Sequence, residues 1–345
     1  MTERQTADRR GPGSKRPLRV AVIGAGLMGE RHARAYLSLA GVDLLGFVDR
    51  DEAAQARVRD LFGVPCHRHW DELFAAAALD AVSICLPDDA HLSASLAAFD
   101  RGLAVLLEKP LATDIGEAER IAAASRGRLL LVGHLLRFDA RYQQARRLFA
   151  SGRIGDLVHV TSRRNSAIGA ASRYGKSTSL LWHVAVHDID LVQWVTGRPI
   201  VEVLAKGVSR RLAPLGHLDS VLALATLADA TPVAMEFSWI MPEHFGSGLD
   251  ARLDVVGTEG RIEVHGLDQG LKVADRSSLQ FPDTARWVEY DDGSAGGILA
   301  AEIAHFVRCA AGGIAPGVAV DDALAAVKVA AAMERSLAEE RAIAV

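Results

Sequence analysis

The sequence predicts an α/β protein in which a doubly wound parallel sheet is followed by an α+β domain with a large, open, mainly antiparallel sheet. Two patterns predict this fold. Strand-like and helical stretches alternate from Leu18 to about Leu136, which is typical of parallel strands covered on both faces. After about residue 200, strand-like runs follow one another with short turns, which indicates antiparallel pairing.

The first strand ends in a glycine-rich turn. An apolar, β-branched run is followed by Gly24, Gly26 and Gly29, and a helical stretch comes next. In this spacing the first glycine allows a tight turn, the second lets a pyrophosphate approach the backbone, and the third lets the helix pack closely on the strand. The helix N-terminus, with Leu27 and Met28, then faces the phosphates. The first domain is therefore predicted to be a Rossmann domain that binds a dinucleotide.

The second strand, over residues 42–48, indicates which nucleotide is bound. It ends at Asp49, about 20 residues after the last glycine, where this fold places a carboxylate that binds the ribose hydroxyls. Because a carboxylate repels a 2′-phosphate, Asp49 favours NAD. Arg50 keeps NADP open, since a guanidinium there could bind that phosphate or stack on adenine.

Helical and strand-like stretches continue to alternate through the rest of this domain, over residues 51–61, 70–78, 80–86, 103–107 and 128–132. Leu86 and Pro87 end a buried strand, and we assign them to the cofactor site. Asp88 or Asp89 is expected to cap the helix that follows and carries His91. His91 lies either near the nicotinamide or on the surface, and the sequence leaves both positions open.

A charged tripeptide, Glu108-Lys109-Pro110, follows the strand over 103–107. Ligands of open α/β sheets bind beyond the carboxyl ends of the strands, so Lys109 lies where chemistry is expected. We assign Glu108 and Lys109 to the cofactor site and Lys109 also to catalysis. The alternative is a solvated lysine at a strand end.

The second half begins with expected helices over 140–150 and 180–196, around a strand over 157–162. Further strands and two closing helices are expected over 201–208, 221–227, 232–240, 253–256, 261–264, 298–311 and 321–339. We therefore divide the chain into a flexible basic tail, a dinucleotide-binding domain and a domain for substrate binding and oligomerisation, over residues 1–17, 18–138 and 139–345.

The helix over 180–196 carries a polar cluster. At about 100° per residue, His183, His187 and Asp190 share one face of an otherwise apolar helix. These side chains must meet polar partners or water, because leaving each unpaired costs about 1–3 kcal/mol. A zinc site is disfavoured, since Val184 stands where a metalloprotease needs glutamate, and no metal is predicted. Structural histidines and an acid/base site remain the alternatives, and the second is favoured.

The composition disfavours several other function classes. The formal net charge of −4 offers no general attraction for nucleic acid, and no apolar run is long enough to span a membrane. The cysteines Cys66, Cys85 and Cys309 lack metal-type spacing, which predicts reduced thiols in a cytoplasmic protein. Arg9-Arg10 is not an export signal, because the apolar run that follows is the first strand of the nucleotide domain.

Four motifs together resemble the Gfo/Idh/MocA family of sugar and cyclitol oxidoreductases. They are the glycine turn, Asp49, Glu108-Lys109-Pro110 and the helix containing His187-Asp188-Ile189-Asp190, in this order. The resemblance covers about Leu18 to the C-terminus. It implies a Rossmann domain followed by a domain whose open sheet faces the cofactor, and it implies a homodimer or homotetramer paired through that sheet.

The resemblance also implies the catalytic pair. In the family, the lysine of the Glu-Lys-Pro motif and a histidine of the second-domain helix flank the substrate hydroxyl beside the nicotinamide. Carried over, these residues are Lys109 and His187. His187 would act as the general base, because imidazole titrates near neutral pH, and Lys109 would stabilise developing alkoxide charge. Many members have an aspartate where this chain has His183, so the usual polar relay and sugar contact at that position are in doubt.

The substrate is expected to be a small carbohydrate or cyclitol. A positive loop over 163–176, with Arg164 and Tyr174, would suit a phosphorylated or nucleotide-linked sugar. Acidic residues would instead suit an amino sugar, namely Asp139, Asp190, Glu236 and Glu243. Substrate contacts are assigned to His183, Asp190, Arg164 and Tyr174. The motif order is similar to members that oxidise the 3-hydroxyl of glucosamine-type sugars, in nucleotide-sugar or aminoglycoside pathways.

Two other functions stay open at the level of sequence. One is a regulatory protein that senses NAD or NADP and has lost the reaction, although such a protein would be expected to lose Lys109 or His187. The other is a redox-neutral glycosidase that holds NAD tightly and releases no net NADH. The favoured function is an NAD(P)-dependent dehydrogenase that transfers hydride between the nicotinamide and a secondary hydroxyl or ketone.

Overall fold

The computed structural model describes most of the chain. It covers residues 16–175, 178–243, 245, 248–267, 269–274 and 279–345, with the backbone alone at Tyr174 and Gln280. Most of the predicted basic tail, residues 1–15, lies outside the described residues. Arg16, at the end of that predicted tail, binds Asp80 through its guanidinium at 2.8 Å.

The first domain alternates strands and helices. Its strands are Leu18–Ile23 (β1), Val42–Val48 (β2), Cys66–His67 (β3), Ala81–Ile84 (β4), Ala104–Leu107 (β5) and Leu130–Val132 (β6). Its helices are Leu27–Leu37 (α1), Glu52–Phe62 (α2), Trp70–Ala76 (α3), His91–Asp100 (α4) and Ile115–Ala124 (α5). The strands are almost continuously apolar because both faces of a parallel sheet are covered by helices.

The described strands of this domain form one parallel sheet in the order β3-β2-β1-β4-β5-β6. The order reverses direction between β1 and β4, which is the switch point where doubly wound sheets bind ligands. Ile23 pairs with Ile84, and Ile84 with Leu107. The glycine turn, the segment after Ile84 and the Glu108-Lys109-Pro110 segment therefore meet at one edge. The predicted Rossmann fold is confirmed.

The second domain combines helices with a larger sheet. Its helices are Ala140–Ala150 (α6), Ile168–Tyr174 (α7), Val186–Thr196 (α8), Gly297–Ala310 (α9) and Val320–Glu339 (α10). Its main strands are Leu157–Ala167 (β7), Ile200–Val208 (β8), Ser220–Leu227 (β9), Pro232–Met241 (β10), Leu249–Gly257 (β11) and Gly260–His265 (β12). Short strands complete it at Val273–Ala274 (β13), Leu279–Gln280 (β14), Val288–Glu289 (β15), Ala295–Gly296 (β16) and Ile343–Ala344 (β17).

The large sheet has the order β12-β11-β7-β10-β9-β8-β17 among the described strands. Its pairings are antiparallel except that β7 and β10 run parallel, with Val160 beside Val233. The predicted mainly antiparallel sheet is thus confirmed. Helices α8 and α10 pack on it, whereas Leu222 and Leu224 of β9 are each 60% exposed. The sheet therefore has one face covered by helices and one open face, where Leu222 and Leu224 lie near charged side chains such as Arg163 and Arg252.

The predicted positive loop over 163–176 is wrong in its secondary structure. Strand β7 continues to Ala167 because it pairs with β10 and β11 over most of its length, and α7 follows directly. Since side chains alternate along a strand, Arg163 and Arg164 point to opposite faces. Arg163 pairs with Asp250 at 3.0 Å, and Arg164 pairs with Asp188. Lys176 lies outside the described residues.

The polar helix is also less regular than predicted. One π-helical turn, Leu181–Ala185, precedes α8. A π-helical turn has a wider hydrogen-bonding spacing, so a uniform 100° per residue does not hold across it. His183 lies in this turn, whereas His187 and Asp190 lie in the regular helix α8, so the regular spacing assumed for the three residues does not extend to His183.

The chain returns to the first domain near its end. Helix α9 packs against α1 and against the turn Leu135–Phe138. The Arg31 guanidinium of α1 stacks 4.0 Å from the ring centroid of Trp287, and Ser38 accepts a hydrogen bond from the Ala295 amide at 2.8 Å. The two domains are thus joined beside the helix that follows the glycine turn. Within the described ranges, no helix has the length and apolarity to cross a membrane.

Candidate active site

The glycine turn forms a shallow cradle at the end of β1. A Cβ atom at Gly24, where φ is +107°, would overlap the Cys85 carbonyl, and one at Gly29 would overlap the Gly24 carbonyl. A Cβ at Gly26 would instead meet nothing within 4 Å. Helix α1 starts at Leu27 without a side-chain cap. The first N–H groups of α1 therefore face open space, and these residues fit a bound pyrophosphate.

Asp49 is positioned by this turn. Its Oδ2 accepts a hydrogen bond from the Ala25 amide at 2.8 Å, and its Oδ1 accepts one from the Asp51 amide at 2.9 Å. Each carboxylate oxygen has further acceptor capacity for ribose hydroxyls. Arg50 is exposed beside it. Arg57 of α2 was missed by the sequence reasoning, and it donates to the Ala25 carbonyl at 2.8 Å.

Lys109 follows β5 at the same edge of the sheet. Its Nζ donates to the carbonyl oxygen of His183 at 3.1 Å, so the first domain contacts the π-helical turn of the second. Burial lowers the pKa of Lys109, and nearby Arg164 acts in the same direction. The negative charges of Glu108 and Asp88 act to raise that pKa. Lys109 is therefore a partly buried ammonium group enclosed by charges of both signs.

His187 and His183 lie beside this lysine. Burial holds the pKa of His187 well below its ordinary value, and the positive charges of Lys109 and Arg164 lower it further. Burial and Lys109 likewise lower the pKa of His183. Both rings are therefore neutral at neutral pH, which is the form that accepts a proton. Nδ1 of His187 is buried and has no hydrogen-bond partner among the described residues.

Arg164 reaches the same region from β7. Its Nε pairs with Asp188, which also accepts a hydrogen bond from Ser162 Oγ at 2.5 Å. Its Nη2 is buried without a partner within the described part of the chain. The positive charge of Arg164 acts on both Lys109 and His187. The side chain of Tyr174, the other predicted contact in this segment, lies outside the description.

Asp190 is engaged in a buried ion pair, which does not fit its predicted role as a substrate contact. Its oxygens accept hydrogen bonds from Arg137 Nε at 2.9 Å and Arg137 Nη2 at 2.5 Å. The same guanidinium also donates a hydrogen bond to Asp322, from Arg137 Nη1 at 2.8 Å. Asp190 is only 1% exposed. This carboxylate is occupied by a buried ion pair with Arg137, which lies in the turn Leu135–Phe138 after β6.

The Glu108 side chain is likewise directed into the core. His32 Nε2 lies 3.1 Å from Glu108 Oε1, and the Lys109 amide donates to Oε2 at 3.2 Å. The contacts continue from His32 to Ser83 at 3.0 Å and from Ser83 to Tyr36 at 2.7 Å. Burial acts to raise the pKa of Glu108, but the His32 hydrogen bond and charge hold it below its ordinary value. The Glu108 carboxylate therefore connects α1, through His32, to the backbone of Lys109.

His91 is buried, so the surface position is wrong. Its Nδ1 lies 2.9 Å from the Pro110 carbonyl and its Nε2 lies 3.2 Å from the Leu86 carbonyl. The ring therefore links the segment after β4 to the segment that carries Lys109. Leu86 is half-buried and Pro87 exposed at this edge.

Two polar residues near Lys109 were missed. His134 directly follows β6, is 2% exposed and has its Nδ1 3.6 Å from Asp190 Oδ2. Its position at the end of a strand could have indicated this place from the sequence.

Asp88 was predicted as a possible helix cap, but α4 begins after Ala90 with no side-chain cap, so neither Asp88 nor Asp89 has that role. In the described part of the chain, no group of three or more metal-binding side chains is arranged around a common point.

Two family models match the chain. A model described as oxidoreductase family, NAD-binding Rossmann fold, of the GFO/IDH/MocA type, matches residues 18–134. The GFO/IDH/MocA C-terminal domain matches residues 142–263. Together the two matches span both sides of the site described above.

Individual relatives support the same grouping. The chain is 31% identical to inositol 2-dehydrogenase 4 of Saccharopolyspora erythraea over 266 residues, which are 75% of this chain and 76% of the relative. It is 28% identical over 344 residues to inositol 2-dehydrogenase of Rhizobium meliloti, covering 95% and 99% of the two chains. The crystal structure of GenD2 from gentamicin A biosynthesis, in complex with NAD, superposes with a TM-score of 0.81 at 25% identity, covering 97% and 98%.

Proposed function

Because the chain belongs to the Gfo/Idh/MocA family of NAD-binding oxidoreductases, we propose that it oxidises one secondary hydroxyl of a cyclitol. The observation that carries this proposal is the meeting of Lys109 with two neutral histidines at the edge of the sheet beside the glycine turn. A base and a cation for one hydroxyl would thereby be available where the cofactor is proposed to bind. The names of the inositol 2-dehydrogenase relatives support a cyclitol as substrate.

The cofactor would be held by residues of the first domain. Gly26 and the start of α1 would receive the pyrophosphate, and Asp49 would accept the adenosine ribose hydroxyls. A carboxylate at this point favours NAD over NADP. Bound NAD supplies the acceptor for the hydride that leaves the substrate carbon.

The chain's own residues would manage the proton and the charge. His187 is neutral and takes the hydroxyl proton as the carbon loses hydride. Lys109, oriented by the His183 carbonyl, stabilises the negative charge that develops on the substrate oxygen. The unpartnered Nη2 of Arg164 offers a donor to a further substrate hydroxyl. The substrate loses one hydride and one proton, so a hydroxyl becomes a ketone.

An amino sugar is the second candidate substrate, supported by the similarity to GenD2. The acids expected to bind its amine are largely occupied, since Asp139 pairs with Arg141 at 2.6 Å and Glu236 accepts from Asn165 at 2.6 Å. A nucleotide-linked sugar has lost its main support, because the proposed positive loop is a strand and a helix.

We also propose that a second copy of the chain covers the open face of the large sheet. Leu222 and Leu224 would be its apolar centre, since they are neighbouring leucines of one strand and both are largely exposed. Sedimentation velocity should show a dimer or larger assembly, and Leu222→Glu should shift it toward the monomer. A monomeric wild-type protein at micromolar concentration would contradict this assembly.

Absorbance at the NADH band tests the function directly. Purified protein is mixed with NAD or NADP and a panel of inositols, free sugars and aminoglycosides. We expect absorbance to rise with NAD and a cyclitol, and Lys109→Met to reduce kcat by about 10³-fold. A rise only with aminoglycosides would favour the second candidate. A flat trace with confirmed NAD binding would favour a sensor or a redox-neutral glycosidase.

A further inference from the structure

Asp88 lies beside the reaction site without a structural task. It is the first residue of the short helical turn Asp88–Ala90, which follows Pro87 and begins four residues after the end of β4 at Ile84. The N-terminus of α4 has no side-chain cap, so the Asp88 carboxylate does not cap that helix. Its Oδ2 is buried and has no hydrogen-bond partner among the described residues. A buried carboxylate oxygen without a partner is costly, so it is expected to serve a bound group.

The backbone ties Asp88 to Lys109. Strands β4 and β5 are neighbours with Ile84 beside Leu107, so the segments that follow them lie side by side. His91 contacts the carbonyls of Leu86 and Pro110 and thereby bridges these two segments. The charge of Asp88 also acts on the Lys109 ammonium in the direction that favours its protonated form.

The other carboxylates around Lys109 are already engaged. Asp188 pairs with Arg164 and accepts a hydrogen bond from Ser162. Asp190 pairs with Arg137, and Glu108 contacts His32. Glu302 is fully buried and lacks partners within the described chain, but burial raises its pKa well above the ordinary value, so it is a neutral acid. Asp88 is therefore the carboxylate left to meet a ligand in this region of the described structure.

We propose that Asp88 is a further residue of the reaction site, which accepts a hydrogen bond from a ligand hydroxyl beside the reacting carbon and balances the charge of Lys109. This inference rests on the proposed dehydrogenase function. The hydroxyl belongs either to the polyol substrate or to the nicotinamide ribose, and both offer the same chemistry.

A matched pair of variants tests this role. Asp88→Asn removes one negative charge with little change of shape, and Asp89→Asn removes the same charge from an exposed neighbour. We expect Asp88→Asn to raise the substrate KM or the NAD Kd by about tenfold or more, because a hydrogen bond to a charged group is lost. Asp89→Asn should leave both unchanged. A rise in KM alone places the hydroxyl on the substrate, and a rise in the NAD Kd places it on the ribose.

A second measurement does not depend on turnover. The sequence has six lysines, so reductive ¹³C-methylation gives few NMR signals, and the Lys109 signal is the one lost in Lys109→Arg. The charged and titratable groups that face Lys109 are Asp88, Glu108, His134, Arg164, His183 and His187. Asp88→Asn should move the Lys109 titration to lower pH by about one unit, and Asp89→Asn should not.

The outcomes separate this inference from the proposed function. Unchanged KM, NAD Kd and Lys109 titration in Asp88→Asn would overturn the role of Asp88, even if the wild type oxidises a cyclitol. A wild type without turnover would contradict the proposed function, while a shifted Lys109 titration would still support the pairing of Asp88 with Lys109.

Discussion

The two sides of the site are built by different means. On the cofactor side, the glycine turn and Asp49 act mainly through backbone geometry, and the residues that form the cradle are close in sequence. On the substrate side, the function of each side chain depends on a partner from a distant element, such as Arg137 for Asp190. A local motif therefore describes the first side well, whereas the second is defined only when the charged groups have been paired.

The largest expected effect concerns the ion pair between Arg137 and Asp190, which occupies the Asp190 carboxylate. Arg137→Met would leave Asp190 buried without its guanidinium partner, and we expect unfolding free energy to fall by about 3–5 kcal/mol. Denaturant titration measures this loss. The control is Arg147→Met, since Arg147 is exposed and contacts Gln144.

The opposite result would change the comparison. If Arg137→Met kept its stability and only the substrate KM rose, then Asp190 would belong to the substrate contacts after all.

The general base gives the next effect. His187→Ala should lower kcat by about 10²–10³-fold, because His187 is the group proposed to take the hydroxyl proton. NAD affinity, measured by fluorescence titration, should stay the same. His265→Ala is the matched control, since His265 is exposed and contacts Glu263. Full turnover in His187→Ala would remove His187 from the chemistry.

A smaller effect is expected on the cofactor side. Gly26→Ala places a methyl group in open space where the pyrophosphate is proposed to bind, so NAD affinity should fall by about tenfold while the fold survives. Gly29→Ala should instead reduce stability by about 1–3 kcal/mol, because its methyl group would overlap the Gly24 carbonyl. Equal stability of the two variants would contradict the close packing at Gly29.

The smallest effect is the pH dependence of the wild type. Burial lowers the pKa of His187, so its ring stays neutral to lower pH than a solvated histidine. Plots of kcat/KM against pH should therefore remain level down to about pH 6.5 and fall only below it, as the ring becomes protonated. If kcat/KM instead fell at low pH with a midpoint above pH 6.5, the group that titrates would not be His187.

The sequence predicted the fold class because hydrophobic periodicity follows the covering of each strand. The run over 42–48 was predicted and found as β2, and Asp49 follows it at the glycine turn. The strand over 157–162 was predicted too short, because Arg163, Arg164 and Asn165 resemble a solvated segment by composition. Pairing with β10 and β11 outweighs that local preference.

By itself the sequence determined the parallel nucleotide domain, the mainly antiparallel second sheet and the glycine turn that fits NAD. These features depend on short-range backbone geometry and on the periodicity of buried residues. Only the tertiary structure decided which acids remain for a ligand, since Arg137 reaches Asp190 across 53 positions and Asp322 across 185. A buried charge must be paired, and the partner that pairs it is set by the packing of distant elements.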